Sequence, residues 1–372
     1  MKNIRYFFLL FIMFALSLNA CGLPKVTPAS TARTETPSPP PQKKLTPSPS
    51  GIRTLKVLTH DSFDISDALV QQFEKDNNAK LMFIKGGDAG TALNKVILSK
   101  ESPPADVFYG VDNTFLGRAL QEGVFEAYDS PALEKVPDTF KLDPKYRAIP
   151  IDYGDVCLNY DLEYFTKNNL LPPQSLDDLA KPQYKGLLVV QNPATSSPGL
   201  AFLLTTIGHY GEKDYLSYWK RLVENDVKVV NDWESSYYTE FSHYGGTRPM
   251  VVSYNSSPSV EMISSDKTVD KPVTAALTTD DTCYRQIEFV GILKGTPNAD
   301  LAQRFIDFML STAFQEEIPG KMYMFPVNPE AKLNEAFQKF LVIPAKPANV
   351  PPQDITTKRE AWLKAWTETV LR

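Results

Sequence analysis

The segment Leu55-Lys56-Val57-Leu58-Thr59-His60-Asp61-Ser62-Phe63 begins as an apolar run and ends in polar side chains. An amphipathic stretch with helical periodicity follows at residues 66–76. An apolar run, a polar turn and an amphipathic stretch in this order predict a strand, a loop and a helix of an α/β domain. Ligands of such domains bind beyond the carboxyl ends of the strands, so His60, Asp61 and Ser62 are candidate binding residues.

The same order of patterns recurs along the chain and predicts the α/β fold class throughout. Further strands are predicted at residues 80–84, 106–110, 186–191, 250–254 and 287–294. Helices are predicted at residues 91–99, 114–122, 213–224 and 300–310. Strands that are continuous apolar runs indicate sheets that are covered on both faces.

Polar residues stand at the ends of three more of these predicted strands. One of the loops, residues 192–199, leads into an apolar helix whose hydroxyls and N-terminal amides suit an anion. A single loop of this kind is most often a helix N-cap, but several at strand ends predict a binding cleft. The candidate residues in these loops are Asp112, Asn113, Ser196, Ser197, Gly199, Tyr254 and Ser257.

Cys21 closes a short N-terminal segment that has the pattern of a lipoprotein export signal. Lys2 and Arg5 give it a positive start, and the apolar residues 6–16 are fewer than the roughly 20 that cross a bilayer. Residues 1–20 are therefore predicted to be a cleaved signal peptide, with Cys21 as the acylated N-terminus and membrane anchor. The alternative, an uncleaved anchor or an ordinary signal peptide, also places the chain outside the cytoplasm.

Residues 21–53 have the composition of a tether, because eight prolines lie among serines, threonines and lysines with few apolar side chains. Such a segment cannot offset the entropy of ordering and is predicted to be disordered, with a reach on the order of 90 Å. A domain on this tether can visit a partner in the membrane.

The rest of the chain, about 320 residues from Thr54 onward, exceeds the usual size of one core and favours two lobes. Of the 39 basic and 44 acidic residues in the sequence, seven and one precede Thr54, which leaves 32 and 43 in the folded part. This surplus of eleven negative charges disfavours nucleic acid as a partner and favours a cationic ligand.

Two further cysteines, Cys157 and Cys283, follow Cys21. They are too few for a disulfide framework, and neither they nor the three histidines have metal-ligand spacing. Outside the cytoplasm the pair could form one bridge or remain two buried thiols, and the sequence leaves both possibilities open. No cofactor is indicated.

Short motifs follow one another through nearly the whole folded region. They are Thr59-His60-Asp61-Ser62-Phe63, Asp112-Asn113, Asp152-Tyr153-Gly154, Asn159-Tyr160-Asp161, Pro173-Gln174-Ser175-Leu176, Ser197-Pro198-Gly199-Leu200, Ser253-Tyr254 with Ser257-Pro258, Ala313-Phe314-Gln315 with Ile318-Pro319, and Arg359 with Trp362 and Trp366. This ordered set resembles the thiamine-binding component of ABC importers. The resemblance implies a binding protein without catalysis that acts as a monomer and delivers its ligand to an ABC permease.

The resemblance also implies the architecture, a two-lobed periplasmic-binding-protein fold of type II in which each lobe is a mixed sheet flanked by helices. The lobes implied are residues 54–152 with 285–320 and residues 153–284 with 321–372. Strands that cross between the lobes near residues 152–157 and 282–287 would form the hinge.

Thiamine, the ligand that the resemblance implies, carries a permanently cationic thiazolium ring and an aminopyrimidine ring. Its site needs flat aromatic faces, a nearby carboxylate and hydrogen-bonding groups. The resemblance implies that the aromatic faces are Trp233, Tyr237 and Tyr254. It implies that the carboxylates are Asp61, Asp112 and Asp152, and that the hydroxyls of Ser196 and Ser197 bind a phosphate or the hydroxyethyl group. Tyr153 and Tyr323 are placed in the same site.

The sequence departs from the resembling family at three positions. His60 stands where the family commonly has Tyr, Val260 where an aromatic residue is expected, and Tyr323 where Trp is expected. One stacking face is therefore expected to be missing. A thiamine phosphate, a pyrimidine precursor or another cation are the alternative ligands.

Two other functions stay open at this stage. The adjacent Tyr237 and Tyr238 resemble the tyrosine pair of ferric-binding proteins, although neighbours on a helix point about 100 degrees apart. A thiamine-degrading enzyme would need Cys157 or Cys283 as its nucleophile, and neither lies in a recognisable motif. Residues 60–62 are of the three types that form a catalytic Ser-His-Asp triad. Consecutive residues on an extended chain face opposite ways, so they cannot form that triad.

If Cys21 is acylated, a labelled fatty acid should be incorporated into the protein in cells. Cys21→Ala should abolish this labelling, because no thiol remains at the processing site. Thermal melting of the two purified proteins should give the same Tm, because residues 21–53 have almost no apolar side chain to pack. Undiminished labelling of the variant would contradict the lipoprotein assignment.

Overall fold

The computed structural model describes residues 51–264 and 270–372. Cys21, the predicted signal peptide and nearly all of the predicted tether lie outside the described residues. The strands are β1 (Arg53–Thr59), β2 (Ala79–Lys85), β3 (Val107–Asp112), β4 (Phe125–Glu126), β5 (Ile149–Asp161), β6 (Leu188–Gln191), β7 (Lys228–Val230), β8 (Met250–Tyr254), β9 (Thr274–Leu277), β10 (Tyr284–Leu293) and β11 (Phe325–Pro326). The helices are α1 (Asp67–Asn77), α2 (Ala89–Leu98), α3 (Leu116–Glu122), α4 (Leu162–Lys167), α5 (Ser197–Glu224), α6 (Ser257–Ser264), α7 (Ala299–Met309), α8 (Thr312–Met322), α9 (Glu335–Phe340) and α10 (Pro352–Val370).

The strands form a mixed sheet with the order β2-β1-β3-β10-β5-β8-β6-β7. At one side, β2, β1 and β3 are parallel to one another, and at the other side β8, β6 and β7 are parallel. Between them, β10 and β5 run antiparallel to each other and to their outer neighbours. The sheet therefore has two parallel halves that are joined by a central antiparallel pair.

The central strands β5 and β10 are the longest, with 13 and 10 residues. They pair with each other from Tyr284 opposite Val156 to Val290 opposite Ile149. The second half of β5 pairs with β8, while the second half of β10 pairs with β3. Two strands thus cross between the halves where the sequence predicted crossings. The residue-level boundaries of the lobes stay predictions.

The burial of the strands explains why they are continuous apolar runs. Every residue of β3, β6 and β8 is buried. The helices that pack on the sheet also pack on one another, as Phe73 of α1 meets Phe305 of α7 at a ring distance of 5.3 Å, and Trp219 of α5 meets Trp366 of α10 at 5.4 Å. Strand β1 begins at Arg53, the last residue of the predicted tether, and Arg53 pairs with Asp300 at 2.8 Å.

Helix α5 begins well before the predicted helix at residues 213–224. Its first half was not predicted because it has no amphipathic period. Residues 200–207 are all buried, so this half lies in the core and lacks the polar face that a helix pattern requires. Gly211, with φ 76° and ψ 166°, breaks the helix before the predicted segment 213–224. Gly199 belongs to the first turn, where a Cβ would lie 2.6 Å from the Gln191 carbonyl oxygen, so its role is close packing against β6.

Cys157 and Cys283 form a disulfide with a Cα–Cα distance of 4.4 Å, and both are fully buried. The bridge joins β5 to the residue that precedes β10, which resolves the alternative that the sequence left open. Neither sulfur is then a free thiolate that could act as a nucleophile. Among the residues described, we find no helix with the length and hydropathy needed to span a bilayer.

Candidate functional site

A cavity of about 300 Å³ lies where the loops after β1 and β2 meet the start of α5, the turn after β7 and the end of α8. The predicted site residues that line it are His60, Asp61, Ser62, Ser197, Trp233, Tyr254 and Tyr323. These residues come from both halves of the sheet, so a ligand here would contact both. The cleft predicted at the carboxyl ends of strands is therefore present.

The other predicted residues do not line the cavity. They are Asp112, Asn113, Asp152, Tyr153, Ser196, Gly199, Tyr237 and Ser257. Each is engaged within the protein, and their contacts show that they position the lining residues or join strands.

Asp112 positions Ser197. The Ser197 hydroxyl donates to Asp112 Oδ2, and the Thr114 amide donates to Asp112 Oδ1 at 2.5 Å. Full burial raises the pKa of Asp112 to about 6, although hydrogen bonds from the Ser197 hydroxyl and from the side chain and amide of Thr114 oppose the shift. The hydroxyl of Ser197 is thus directed away from the cavity towards a buried carboxyl group.

Asn113 and Tyr153 support the central strands. Asn113 Nδ2 donates to the Arg285 carbonyl oxygen at 3.0 Å, and the Ile287 amide donates to Asn113 Oδ1 at 3.0 Å. The Tyr153 ring stacks on Phe140 at 4.6 Å, with the Arg285 guanidinium 5.0 Å from its centroid. Both side chains are used in packing, which the strand-end pattern alone could not distinguish from ligand binding.

Two serines at the starts of helices α5 and α6 are engaged in hydrogen bonds within the protein. Ser196 is the N-cap of α5 and hydrogen-bonds to Asp88. Ser257, in the first turn of α6, lies 2.9 Å from the Ser253 hydroxyl and accepts from the Tyr254 amide at 3.3 Å. Ser196 therefore fits the helix-capping alternative for a serine at a strand end, whereas Ser257 supports the turn between β8 and α6.

Trp233 forms the aromatic wall. Its indole stacks on Tyr237 at 4.8 Å with an interplanar angle of 18°, and the Tyr323 ring meets it edge-on at 5.6 Å. The indole N–H donates to Ser253 Oγ at 3.0 Å, and only 6% of the residue is exposed. Trp233 thus lines the cavity, and its indole also packs against Tyr237 in the core.

Tyr238, and not Tyr237, lines the cavity beside Trp233. The two tyrosines lie in the π-helix Ser235–Glu240, and their ring planes are perpendicular. The Tyr237 hydroxyl donates to Glu261, while the Tyr238 hydroxyl lies 3.3 Å from that of Tyr323. The two hydroxyls do not converge, which removes the geometry that the iron hypothesis needs.

Val260 does not leave a gap in the aromatic wall. It is fully buried in a separate small cluster with Phe325 and Phe337 and does not line the cavity. The expectation of a missing stacking face at this position is therefore wrong, because the position belongs to a core. Tyr238 and Tyr323 supply aromatic surface to the cavity instead.

A row of acidic residues crosses three strands beneath the cavity. Glu288 of β10 is opposite Asp112 of β3 and also opposite Asp152 of β5. The Tyr109 hydroxyl contacts both Asp152 and Glu288, at 2.8 Å from Glu288 Oε2. Burial and the neighbouring Glu288 hold the pKa of Asp152 well above its ordinary range. Like charges opposite one another are destabilising, so protonation of Asp152 relieves the row.

Within this row, His60 favours the charged form of Glu288, which lines the cavity. His60 Nε2 lies 3.5 Å from Glu288 Oε2. Burial alone would lower the pKa of His60, but Glu288 and Asp88 raise it above its ordinary value. Burial would raise the pKa of Glu288, but His60 lowers it. Gly110, at φ 105°, leaves room for the imidazole, because a Cβ there would lie 2.5 Å from His60 Cδ2.

Asp88 is a cavity residue that the sequence analysis missed. It is the N-cap of α2 and accepts from the Ala89 amide at 2.7 Å and from the Trp233 amide at 3.1 Å. Burial raises its pKa, although Ser196 and the two amides oppose the shift. Asp88 therefore connects the loop after β2 to the residue that carries the aromatic wall.

The cavity is acidic. Lys321 and His60 are the cationic lining groups, and Lys321 pairs with Asp64 at 2.8 Å. The carboxyl groups in the lining are Asp61, Asp64, Asp88, Glu234 and Glu288. Aromatic faces beside a surplus of carboxylates suit an organic cation. Within the described ranges, His, Cys, Asp and Glu do not form a group of three or more that could hold a metal ion.

The model of one family, bacterial extracellular solute-binding proteins, matches residues 102–348. The chain is 31% identical over 324 residues to the thiamine-binding periplasmic protein of Escherichia coli K12, covering 86% of this chain and 94% of that protein. The corresponding Brucella suis protein is 29% identical over 337 residues, covering 88% and 95%. A solved periplasmic thiamin binding protein matches with a TM-score of 0.75 at 30% identity, covering 86% of this chain and 96% of that one.

The chain belongs to the bacterial extracellular solute-binding protein family. Its relatives are solute-binding transport proteins, so it is a two-lobed, extracytoplasmic binding protein and not an enzyme. The ferric binding protein from Campylobacter jejuni matches with a TM-score of 0.67 at 20% identity, covering 85% of this chain and 99% of that one, and this likeness shows the fold alone.

The raised pKa of Asp112 predicts a defined pH dependence of stability. A carboxyl group whose pKa rises on folding stabilises the folded state fully below its ordinary pKa of 3.8, and this stabilisation is lost as the pH rises through about 6. In the isosteric variant Asp112→Asn, the free energy of unfolding should fall less between pH 4 and pH 7, by up to about 3 kcal/mol. Urea denaturation of both proteins at several pH values measures this difference. Parallel curves for the two proteins would contradict the prediction.

Proposed function

We propose that the protein captures thiamine, or a thiamine phosphate or related cation, and delivers it to an ABC permease in the cell membrane. The observation that carries this proposal is the cavity in which the Trp233 indole and the Tyr238 ring stand beside a surplus of carboxyl groups. The similarity to thiamine-binding periplasmic proteins supports the same ligand.

The proposed binding mode uses both properties of the cavity wall. The thiazolium ring would stack against the aromatic residues, where each cation–π contact contributes roughly 0.5 to 2 kcal/mol. Glu288 and Glu234 would supply negative charge close to the ring, and Tyr254 and Ser62 are polar groups for the rest of the ligand. The volume of about 300 Å³ is at the lower end of small-molecule sites.

Unphosphorylated thiamine is the form that we propose as the preferred ligand. The hydroxyls of Ser196 and Ser197, which were expected to donate to a phosphate, already bind Asp88 and Asp112. The Trp233 amide is likewise occupied by Asp88. A phosphate would therefore meet carboxyl groups where it needs hydrogen-bond donors, and repulsion between like charges would weaken its binding.

Ligand delivery follows from the architecture in this proposal. A ligand that contacts residues of both halves, such as His60 and Trp233, favours the closed arrangement of the lobes over the open one. Acylation of Cys21 would hold the protein at the membrane, and the tether, residues 21–53, would let a monomer reach the permease.

Calorimetric titration with thiamine tests the proposal. Trp233→Ala should weaken binding by roughly 30-fold to 1000-fold, because it removes a stacking face and its burial, about 2 to 4 kcal/mol together. It should also lower the Tm of the empty protein, because the indole packs on Tyr237. Tyr238→Ala should weaken binding by roughly 2-fold to 30-fold with little change in Tm, since 43% of Tyr238 is exposed.

Tyr164→Ala is the matched control, because this tyrosine lies on α4 and does not line the cavity. It should leave the affinity for thiamine unchanged. Thiamine diphosphate, titrated into the wild-type protein, should bind more weakly than thiamine. The proposed function is wrong if the wild-type protein does not bind thiamine, and the binding mode is wrong if Trp233→Ala and Tyr238→Ala both bind it normally.

A further inference from the structure

His60 is a residue of the ligand cavity whose charge can change near neutral pH. It directly follows β1 and is one of three histidines in the sequence. Histidine has an unperturbed pKa of about 6.5, so its charge changes between about pH 5 and pH 8. The binding mode described above assigns no role to this change of charge.

The imidazole of His60 and the carboxylate of Glu288 form an ion pair in the cavity wall. His60 Nε2 lies 3.5 Å from Glu288 Oε2, and the two side chains are only 12% and 6% exposed. Solvent and salt screen a pair that is buried to this degree much less than a pair at the surface. Since both residues line the cavity, a charged ligand would interact with both members of the pair.

Other ionisable groups face His60 from the elements that pack around it. Asp88, the N-cap of α2, adds negative charge, and Lys85 at the end of β2 adds positive charge. The ammonium group of Lys85 donates to two backbone carbonyl oxygens of the loop after β1, so its donors are already used there. The ring of Tyr109 in β3 lies 5.4 Å from the imidazole, and burial together with two neighbouring carboxyl groups holds the pKa of this tyrosine well above its ordinary range.

The combined effect of these groups favours a protonated His60 in the empty cavity. Burial lowers the pKa of His60, and Lys85 lowers it further, but Glu288 and Asp88 outweigh both and raise it above 6.5. Burial would raise the pKa of Glu288, whereas His60 lowers it. At slightly acidic pH, the wall of the empty cavity therefore contains an imidazolium group next to a carboxylate.

We propose that His60 couples ligand binding to proton release, an inference that rests on the proposed function. A cationic ligand and the proton on the imidazole compete for the same carboxylate, that of Glu288. A positive charge in the cavity disfavours the protonated form of the imidazole, because like charges repel. The cation therefore binds tightly when His60 is neutral and weakly when His60 is charged.

This competition sets the direction of the pH dependence. Coupling between two ligands is reciprocal, so a proton on His60 weakens the binding of the cation by the same factor by which the cation weakens the binding of the proton. The affinity for thiamine is thus highest above the pKa of His60 in the empty protein. It falls as the pH drops through that pKa, by at most about 10-fold per pH unit for one proton. Acidification favours release of the ligand.

NMR titration of the histidine side chains tests the inference in the full-length protein, with and without saturating thiamine. The His60 signal is identified by its absence from the spectrum of His60→Gln. The pKa of His60 should lie above 6.5 in the empty protein and fall by at least about one unit in the complex, which corresponds to about 10-fold weaker binding of thiamine to the protonated form. His209, which is exposed on α5 and does not line the cavity, is the internal control and should keep its pKa.

A variant and a second method separate the ways in which the inference could fail. Glu288→Gln should lower the pKa of His60 in the empty protein, because the largest opposition to burial is lost. Calorimetry of the wild-type protein should show that thiamine binds at least about 3-fold more weakly at pH 6 than at pH 8. If thiamine binds but leaves the pKa of His60 unchanged, or if Glu288→Gln does not lower this pKa, the inference alone is wrong. If thiamine does not bind at pH 8, the proposed function is wrong and this inference is overturned with it.

Discussion

The antiparallel pairing of β5 with β10 is the constraint on which the rest of the structure depends. These two strands hold the parallel halves of the sheet together, and the Cys157–Cys283 bridge joins them covalently near one end. Their register sets Glu288 opposite Asp152. Because side chains alternate between the two faces of a strand, a shift of one residue would move Glu288 to the other face of the sheet. The floor of the ligand cavity is thus fixed by strand pairing.

The acidic row on these strands costs stability, and the surrounding residues limit that cost. The pKa of Asp152 is held well above its ordinary range, His60 lowers the pKa of Glu288, and the raised pKa of Asp112 reduces its charge below neutral pH. What remains is negative potential at the cavity, facing the indole of Trp233 in the other half of the sheet. Binding sites commonly retain such unfavourable charge because the ligand compensates it.

Much of the fold was predictable because its strands are apolar runs that end in polar loops. The predicted strands at residues 55–59, 80–84 and 250–254 correspond to β1, β2 and β8. The buried first half of α5 was missed, because a helix inside the core has no periodic polar face. The periodicity of apolar and polar residues reflects which face of a helix or strand is exposed. It therefore does not predict a helix that is buried on all sides.

The site was less predictable, since residue type at a strand end does not say which way the side chain points. Asp61 and Asp112 both follow strands or end them, yet only Asp61 lines the cavity. Tyr238 lines the cavity in place of the predicted Tyr237. Both lie in a π-helix, and no sequence pattern predicts that helix here. Glu288 did carry a sequence signal, because it is an acidic residue inside the apolar run of residues 287–293 in β10.

A negatively charged, aromatic cavity that is lined from both halves of the sheet should select an organic cation. The most direct test compares, by calorimetry, thiamine with its neutral isostere in which carbon replaces the positively charged ring nitrogen. The two molecules have nearly the same shape, so their difference in affinity reports the charge. Thiamine should bind at least about 10-fold more tightly than the neutral isostere, which corresponds to about 1.4 kcal/mol. Equal affinities would show that shape alone selects the ligand and would contradict the account.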